Sequence, residues 1–438
     1  MEQLVPKRIA NVIVNALKGG VVPRVGLEYI TVGRAQEISA LLRDIEIVAE
    51  GGASFRFIVG KYGSGKSFLL QTIRNYATAR GFVVADADLS PERRFAGTKG
   101  QGLATYKELI RNLSVQSKPD GGALPLILEK WISGIQTEVA QHHAVDAPTF
   151  DAEVERRIFS VTATLEGMVN GFEFARAVAA YWRAYRAGDQ TTKSNVLKWF
   201  RGEYTSRREA REELGINWMV TDETWYDFLK ILAAFVVGAG YQGLLIMVDE
   251  LVNIYKIPHS ITRQNNYEKL LTLYNDALQG KARHLGFIMG CTPQCVEDRY
   301  RGLFSYEALR SRLAQGHFAT DQVKDLSAPI IRLQMLTQEE VYVLIEKLRD
   351  LHAGLLDYPP SLTHEELLYF LNVEYNRVGA DTHITPREII RDFIELLGIL
   401  HQNPSLDVAQ VLGTNSFALA KGGLTDEDIH SDFVGFEV

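Results

Sequence analysis

The stretch FRFIVGKYGSGKSFLL, Phe55–Leu70, decides how the rest of the chain is read. An apolar run, FRFIV, feeds a glycine-rich turn, and the turn opens an apolar segment with helical spacing. A strand, a tight turn and a helix start point several backbone N–H groups at one spot, where the helix dipole adds positive potential. That is a cradle for phosphate. The spacing G-x-x-x-x-G-K-S falls on Gly60, Gly65, Lys66 and Ser67. Glycines let the backbone wrap phosphates, the lysine reaches the β and γ oxygens, and the Ser67 hydroxyl binds Mg²⁺. Lys61, Tyr62, Gly63, Ser64 and Phe68 complete the stretch, and the expected ligands are ATP and Mg²⁺.

A second half to this site is expected at LLIMVDE, Leu244–Glu250. A buried strand ending in Asp249 puts a carboxylate at the carboxyl edge of a sheet, where it can hold the water shell of Mg²⁺. Glu250, next in the chain, can polarise an attacking water. The plainer reading is a strand that ends in solvated acids. A third strand, FIMGCTP, ends in Thr292. Between the two motif strands such a side chain can touch the γ-phosphate or the water, or it can cap the turn before Pro293. The CTPQC spacing of Cys291 and Cys295 lacks further Cys or His for a metal, so both are expected in the core.

Composition sets the limits. With 438 residues, 46% hydrophobic and 23% charged, the chain has the make-up of a globular protein of two or three domains. A net charge of −7 gives no global drive toward nucleic acid, so any such contact needs a local patch. Two cysteines make no disulfide framework, which fits a reducing cytoplasm. No apolar run reaches the ~18 residues of a membrane span, and MEQLVPKRIA carries no long apolar targeting segment.

Residues 1–98 read as an N-terminal helix and the first part of an α/β core, with FVVADADLS as its second strand. Residues 99–240 change to long helical periodicity, a helical insertion within that core. Strands resume over 241–329, and 330–438 reads as a helical lobe with an acidic tail. Continuous apolar strands alternating with helices predict a parallel sheet covered on both faces.

In this order, Gly60–Ser67, Val248–Glu250 and the Thr292 strand resemble the AAA+ ATPases. ITVGRAQEISAL resembles the segment before the phosphate-loop strand that packs on adenine, with Gly33 and Arg34 in the family's positions. ITPREIIRDF resembles the start of the lid helix that supplies a nucleotide-sensing arginine, here Arg387. YEALRSRL offers Arg310 and Arg312 where such families carry an arginine finger reaching a neighbouring subunit, which would require a homo-oligomer or a related partner. Arg310 can equally pair with Glu307. More narrowly, GKYGSGKSFLL and the run from VDELVNIYK to LRSRL are similar to the ATP-binding proteins of the bacteriophage exclusion (BREX) systems, of BrxC/BrxD type. The likeness spans about Gly26 to Leu397. It implies an AAA+ fold with an insertion and a lid, ATP hydrolysis and a role in anti-phage defence beside other proteins.

Between Arg176 and Arg211 nine cations face three acids, interleaved with Tyr181, Trp182, Tyr185, Trp199, Phe200 and Tyr204. Cations for phosphates and aromatic faces for bases suit DNA. The alternative is two helices with an aromatic core stripe and a wet basic face. Two functional classes stay open: an ATPase driving remodelling of DNA or a partner, or a nucleotide-gated binding module with little hydrolysis. The acidic end, with Phe433 and Phe436, reads as a docking or flexible tail.

Overall fold

A computed structural model describes residues 5–145, 149–166, 171–314, 325–376 and 384–413. The acidic tail with Phe433 and Phe436 lies outside them. The chain divides into two compact units, each discontinuous in sequence: Gln36–Gly60 with Ile73–Arg332, and Met1–Ala35 with Lys61–Thr72 and Leu333–Val438.

The larger unit carries the sheet. Strands β1 (Ala53–Gly60), β2 (Val83–Asp88), β3 (Leu244–Asp249), β4 (Leu285–Cys291) and β5 (Ile330–Leu333) form one all-parallel sheet in the order β2-β3-β4-β1-β5. Apolar side chains occupy both faces of the central strands because helices cover both. Phe55, Phe57 and Val59 alternate onto one face and join a core that continues through Phe287 and Ile246 into the helices between β2 and β3. On the other face the packing at Gly286 is tight: an added Cβ would meet Leu245 Cδ1 at 2.8 Å, Ser54 Oγ at 3.2 Å and Val48 Cγ2 of helix Ala35–Ala49 at 3.4 Å. From that face Arg56 reaches Asp44 of the same helix in a bidentate pair, Nε to Oδ2 at 2.6 Å and Nη2 to Oδ1 at 2.8 Å.

The chain between β2 and β3 is built of helices from Gln101–Arg111 to Trp225–Gly238. Their shared core is aromatic: Phe174 lies 5.2 Å from Phe200 and 5.5 Å from Phe228, and Trp199 lies 5.5 Å from Phe228. Such edge and offset contacts add to the area each ring buries.

The smaller unit packs helices Lys7–Lys18, Gln338–Leu356, His364–Tyr375 and Pro386–Gln402 around Ile13, Leu348, Phe370, Phe393 and Leu397. Its last three long helices begin with the same device. Thr337 with Glu340, Thr363 with Glu366 and Thr385 with Glu388 each close a capping box, in which the threonine accepts an N–H and the glutamate accepts the threonine's own. Among the described residues no helix is long and apolar enough to cross a membrane.

Asp44 and Arg56 are both nearly buried, at 9% and 13% side-chain exposure. Asp44→Ala leaves the guanidinium with only the Ser327 and Ala328 carbonyls as partners. The expected cost is about 3 kcal/mol, because a buried charge loses its counter-ion. A shift of the urea midpoint measures it, and a change near zero would show that the carbonyls alone satisfy Arg56.

Candidate functional site

In the smaller unit the turn after β1 bends through two left-handed glycines, Gly63 (φ 79°) and Gly65 (φ 86°). The two differ in their surroundings. A Cβ on Gly63 would meet Thr385 Cβ at 2.8 Å, so the turn lies against the start of helix Pro386–Gln402; a Cβ on Gly65 would meet nothing within 4 Å. Beyond Gly65 begins the helix Lys66–Ala79, whose first-turn N–H groups have no carbonyl of their own helix to donate to. Lys66 Nζ donates to the Lys61 carbonyl at 3.1 Å and lies 5.2 Å from the Tyr62 ring centre. Ser64 is buried, and its Oγ is a buried oxygen without a hydrogen-bond partner. An open left-handed glycine, a helix start and a lysine together fit a phosphate group.

Arg34 supports this turn from behind. Its buried guanidinium donates through Nη2 to the carbonyls of Ser64, at 3.0 Å, and Gln334, at 2.6 Å. Gly33, at φ 70°, clears room for Glu340, whose Oε1 would lie 2.1 Å from an added Cβ. Gly33 and Arg34 therefore fasten the turn to the segment entering helix Gln338–Leu356. Sequence spacing gave no sign of this fastening, because its partners lie 30 and 300 residues away.

In the larger unit β4 lies between β1 and β3, so Gly60, Asp249 and Thr292 all follow or end strands at one carboxyl edge. Asp249 pairs with Asp88 of β2 in register, and its carbonyl accepts from Leu89 N at 3.1 Å. The next residue leaves the strand. Glu250 has φ 60°, a left-handed conformation rare for a residue with a Cβ, and its N–H donates to Asp249 Oδ1 at 2.8 Å. Leu251 N then donates to the Gly290 carbonyl of β4 at 3.2 Å. Asn253, a residue that the motif reading passed over, bonds back to this turn. Thr292 is buried, and its Oγ1 accepts from Cys295 N at 3.3 Å, capping the short helix Pro293–Glu297. Cys291 and Cys295 are buried and are not joined in a disulfide. Among the described residues no three His, Cys, Asp or Glu gather to hold a metal.

The arginines differ in their restraint. Arg310 pairs with Glu307 at 2.5 Å on its own helix turn, and Arg312 bonds Asn275 Oδ1 at 3.0 Å and the Ala308 carbonyl at 2.8 Å. Arg387, in the first turn of helix Pro386–Gln402, is exposed and has no ion-pair or hydrogen-bond partner among the described residues. A cation at a helix start opposes the dipole unless an anion is near.

The basic, aromatic segment folds into core and surface. Tyr181, Trp182, Trp199, Phe200 and Tyr204 are buried, and Tyr185 alone of the six is open, at 47%. Seven of its nine cations hold an acid: Arg183 holds Glu155 at 2.6 Å, Arg186 holds Asp151 at 2.8 Å and Lys193 holds Glu129 at 3.3 Å, among others. Among the described residues Arg207 and Arg211 hold none. Counting charge along the sequence missed the acids that neighbouring helices bring alongside.

Burial, then the charges of Asp249 and Asp86, push the Asp88 carboxyl above its usual range, against the pull of Arg93. A carboxyl raised on folding favours the fold when protonated, and that advantage is lost as pH climbs from its ordinary 3.8 through the raised value. Asp88→Asn is therefore expected to raise the melting temperature at neutral pH, with a gain that shrinks on acidification toward 3.8. Melting curves across that range check it, and a pH-independent gain would remove the charge as its cause.

Comparison with curated proteins finds no match. The sequence profile of one family, described as BREX system ATP-binding protein BrxC/D, matches residues 5–416. Nearly the whole chain is covered, including the glycine turn, the Asp249 edge and the C-terminal helices. A five-stranded parallel sheet of P-loop NTPase type and a phosphate-fitting turn agree with that match, and the chain belongs to the family of BREX system ATP-binding proteins.

Proposed function

We propose that the protein is an AAA+ class ATPase, hydrolysing ATP to ADP and phosphate in service of DNA or partner-protein remodelling during phage defence. The observation that carries this reading is the strand order β3-β4-β1, which brings Gly60, Asp249 and Thr292 to one carboxyl edge, where open parallel sheets bind ligands. Lys66 and the N–H groups of the turn neutralise the terminal phosphates. Ser67 and Asp249 hold the metal and its water shell, and Mg²⁺, when bound, offsets charge on the β and γ oxygens. Glu250 orients the attacking water, its carbonyl and N–H both held so that its position varies little. Arg387, exposed and without an ion-pair partner among the described residues, serves the nucleotide from the lid helix. Little covalent work falls to the protein, so positioning and electrostatics supply the rate. Arg310 or Arg312 would act only in a homo-oligomer or with a related subunit, after leaving its present partners. The division of the chain into a core with a helical insertion over 99–240 and a lid from 330 belongs to the same proposal, as does a cytoplasmic location.

Contact with DNA through residues 176–211 rests on Arg207, Arg211 and Tyr185, since the other aromatics are core and the other cations are paired. Arg207→Glu with Arg211→Glu is expected to weaken DNA binding and flatten its dependence on salt, measured by anisotropy across salt concentrations. Unchanged binding would move the contact elsewhere.

Lys66→Ala is expected to abolish tight ATP binding. Glu250→Gln should keep binding while phosphate release falls by a factor on the order of a thousand, as for loss of a water-orienting group. Equal turnover in wild type and Glu250→Gln would remove Glu250 from its role. Binding without turnover in the wild type, with and without DNA, would favour the nucleotide-gated module instead.

A further inference from the structure

We propose that Asn253 is a positioning residue for Glu250: it fixes the left-handed turn that carries the acid out of β3. This rests on the hydrolase reading above and goes beyond it in naming what aims the acid. Strand β3 ends at Asp249, and the chain is recaptured at Leu251, whose N–H donates to Gly290 of β4. Glu250 is the residue in between, in a left-handed conformation that is unfavourable for any residue with a Cβ. Such a conformation persists only where its surroundings over-determine it.

Asn253 supplies that restraint from both of its amide groups. Its backbone N–H donates to the Glu250 carbonyl at 3.0 Å, closing the turn. Its side-chain Nδ2 donates to the same carbonyl at 3.3 Å and to the carbonyl of Leu89 at 2.9 Å. Leu89 follows β2 and in turn donates its N–H to Asp249 at 3.1 Å. A closed circuit results, Asp249 to Leu89 to Asn253 to Glu250 and back through Asp249 Oδ1. Each member is a backbone group except the Asp249 carboxylate and the Asn253 carboxamide. Removing the carboxamide leaves the N–H of residue 253 in place but cuts the tie to the neighbouring strand. The peptide after Glu250 is then free to leave the left-handed basin for a less costly one, and the acid's position spreads. Because displacing a reacting group by an ångström can lower a rate by two orders of magnitude, a loss of roughly 10- to 100-fold in turnover is expected.

The test compares Asn253→Ala, Glu250→Gln and the double variant in the full-length chain, by phosphate release, by affinity for a fluorescent ATP analogue and by melting temperature. Asn253→Ala should lower kcat roughly 10- to 100-fold with nucleotide affinity within about twofold. The double variant should turn over no slower than Glu250→Gln alone, since a residue that acts through Glu250 has nothing left to act on. Additive losses, or a parallel fall in affinity and melting temperature, would make Asn253 merely structural and overturn the proposal. If Asn253→Ala does not fold, Asn253→Asp decides, having the same shape and no Nδ2 donors; unchanged turnover there also overturns it. Full turnover in Glu250→Gln would remove Glu250 from its role and overturn the positioning role with it, whereas no turnover in the wild type would show that the hydrolase reading itself had failed.

Discussion

Everything at the candidate site depends on two parallel ladders. Seven residues of β1, Ala53 to Val59, pair with β4, and five residues of β3, Leu244 to Val248, pair with its other side. Parallel pairing makes all three strands run out at the same edge, and it forces the chain to return over the faces through helices. The ladders also set the stagger. Val59 is level with Cys291, and Val248 is level with Met289, so the β3–β4 ladder ends two residues before the β1–β4 ladder does. In that gap stand Asp249 and Glu250, and Leu251 is caught by the Gly290 carbonyl. A slip of one residue would turn Phe55, Phe57 and Val59 toward the opposite face, so the packing of the core and the position of the acids have one cause.

The edge so formed runs against the rules that hold elsewhere in the molecule. Asp88 and Asp249 stand level on neighbouring strands, where like charges repel, and burial adds to the cost of ionising Asp88. The following residue, Glu250, adopts a backbone conformation that a side chain disfavours. Local preference is met at many other places: three helices open with complete capping boxes, and seven of nine cations in the basic segment hold acids. A like-charge pair and a left-handed glutamate side by side on one strand edge are the kind of local breach that accompanies functional sites.

What could be read without coordinates was whatever has a short-range cause. The glycine turn declares itself because three backbone requirements and one ammonium fall within eight residues, and the motif strands because unbroken apolar runs have few other homes. T-x-x-E at Thr337, Thr363 and Thr385 is equally local. Long-range partners were not legible. The strand IIRL, Ile330–Leu333, is four residues long and hides at the start of a helical region; its place beside β1 exists only once the sheet has formed. The segment 176–211 looked uncompensated because its counter-ions, Glu129, Asp151 and Glu155, precede it on other helices. The left-handed turn at Glu250 leaves no mark in composition or period, since a glutamate there looks like any acid at a strand end.

The glycine turn has a further dependence that its motif conceals. Its residues from Lys61 to Thr72 belong with the N-terminal helices and the C-terminal helices rather than with the strand they leave. Two contacts make the attachment. Arg34 joins the carbonyls of Ser64 and Gln334 through one nitrogen, and Gly63 is pressed against the capping threonine of the last long helix. A charged donor to two carbonyls is stronger than a neutral one, and its burial makes loss of either acceptor costly. The shape of the turn is therefore set jointly by segments near residues 34, 334 and 385. Because Gly63 accepts no Cβ against Thr385, that coupling needs glycine at a third position of the motif besides the two that define its spacing. In this chain the third glycine answers to the helix beside it, whereas Gly65 has open space around it.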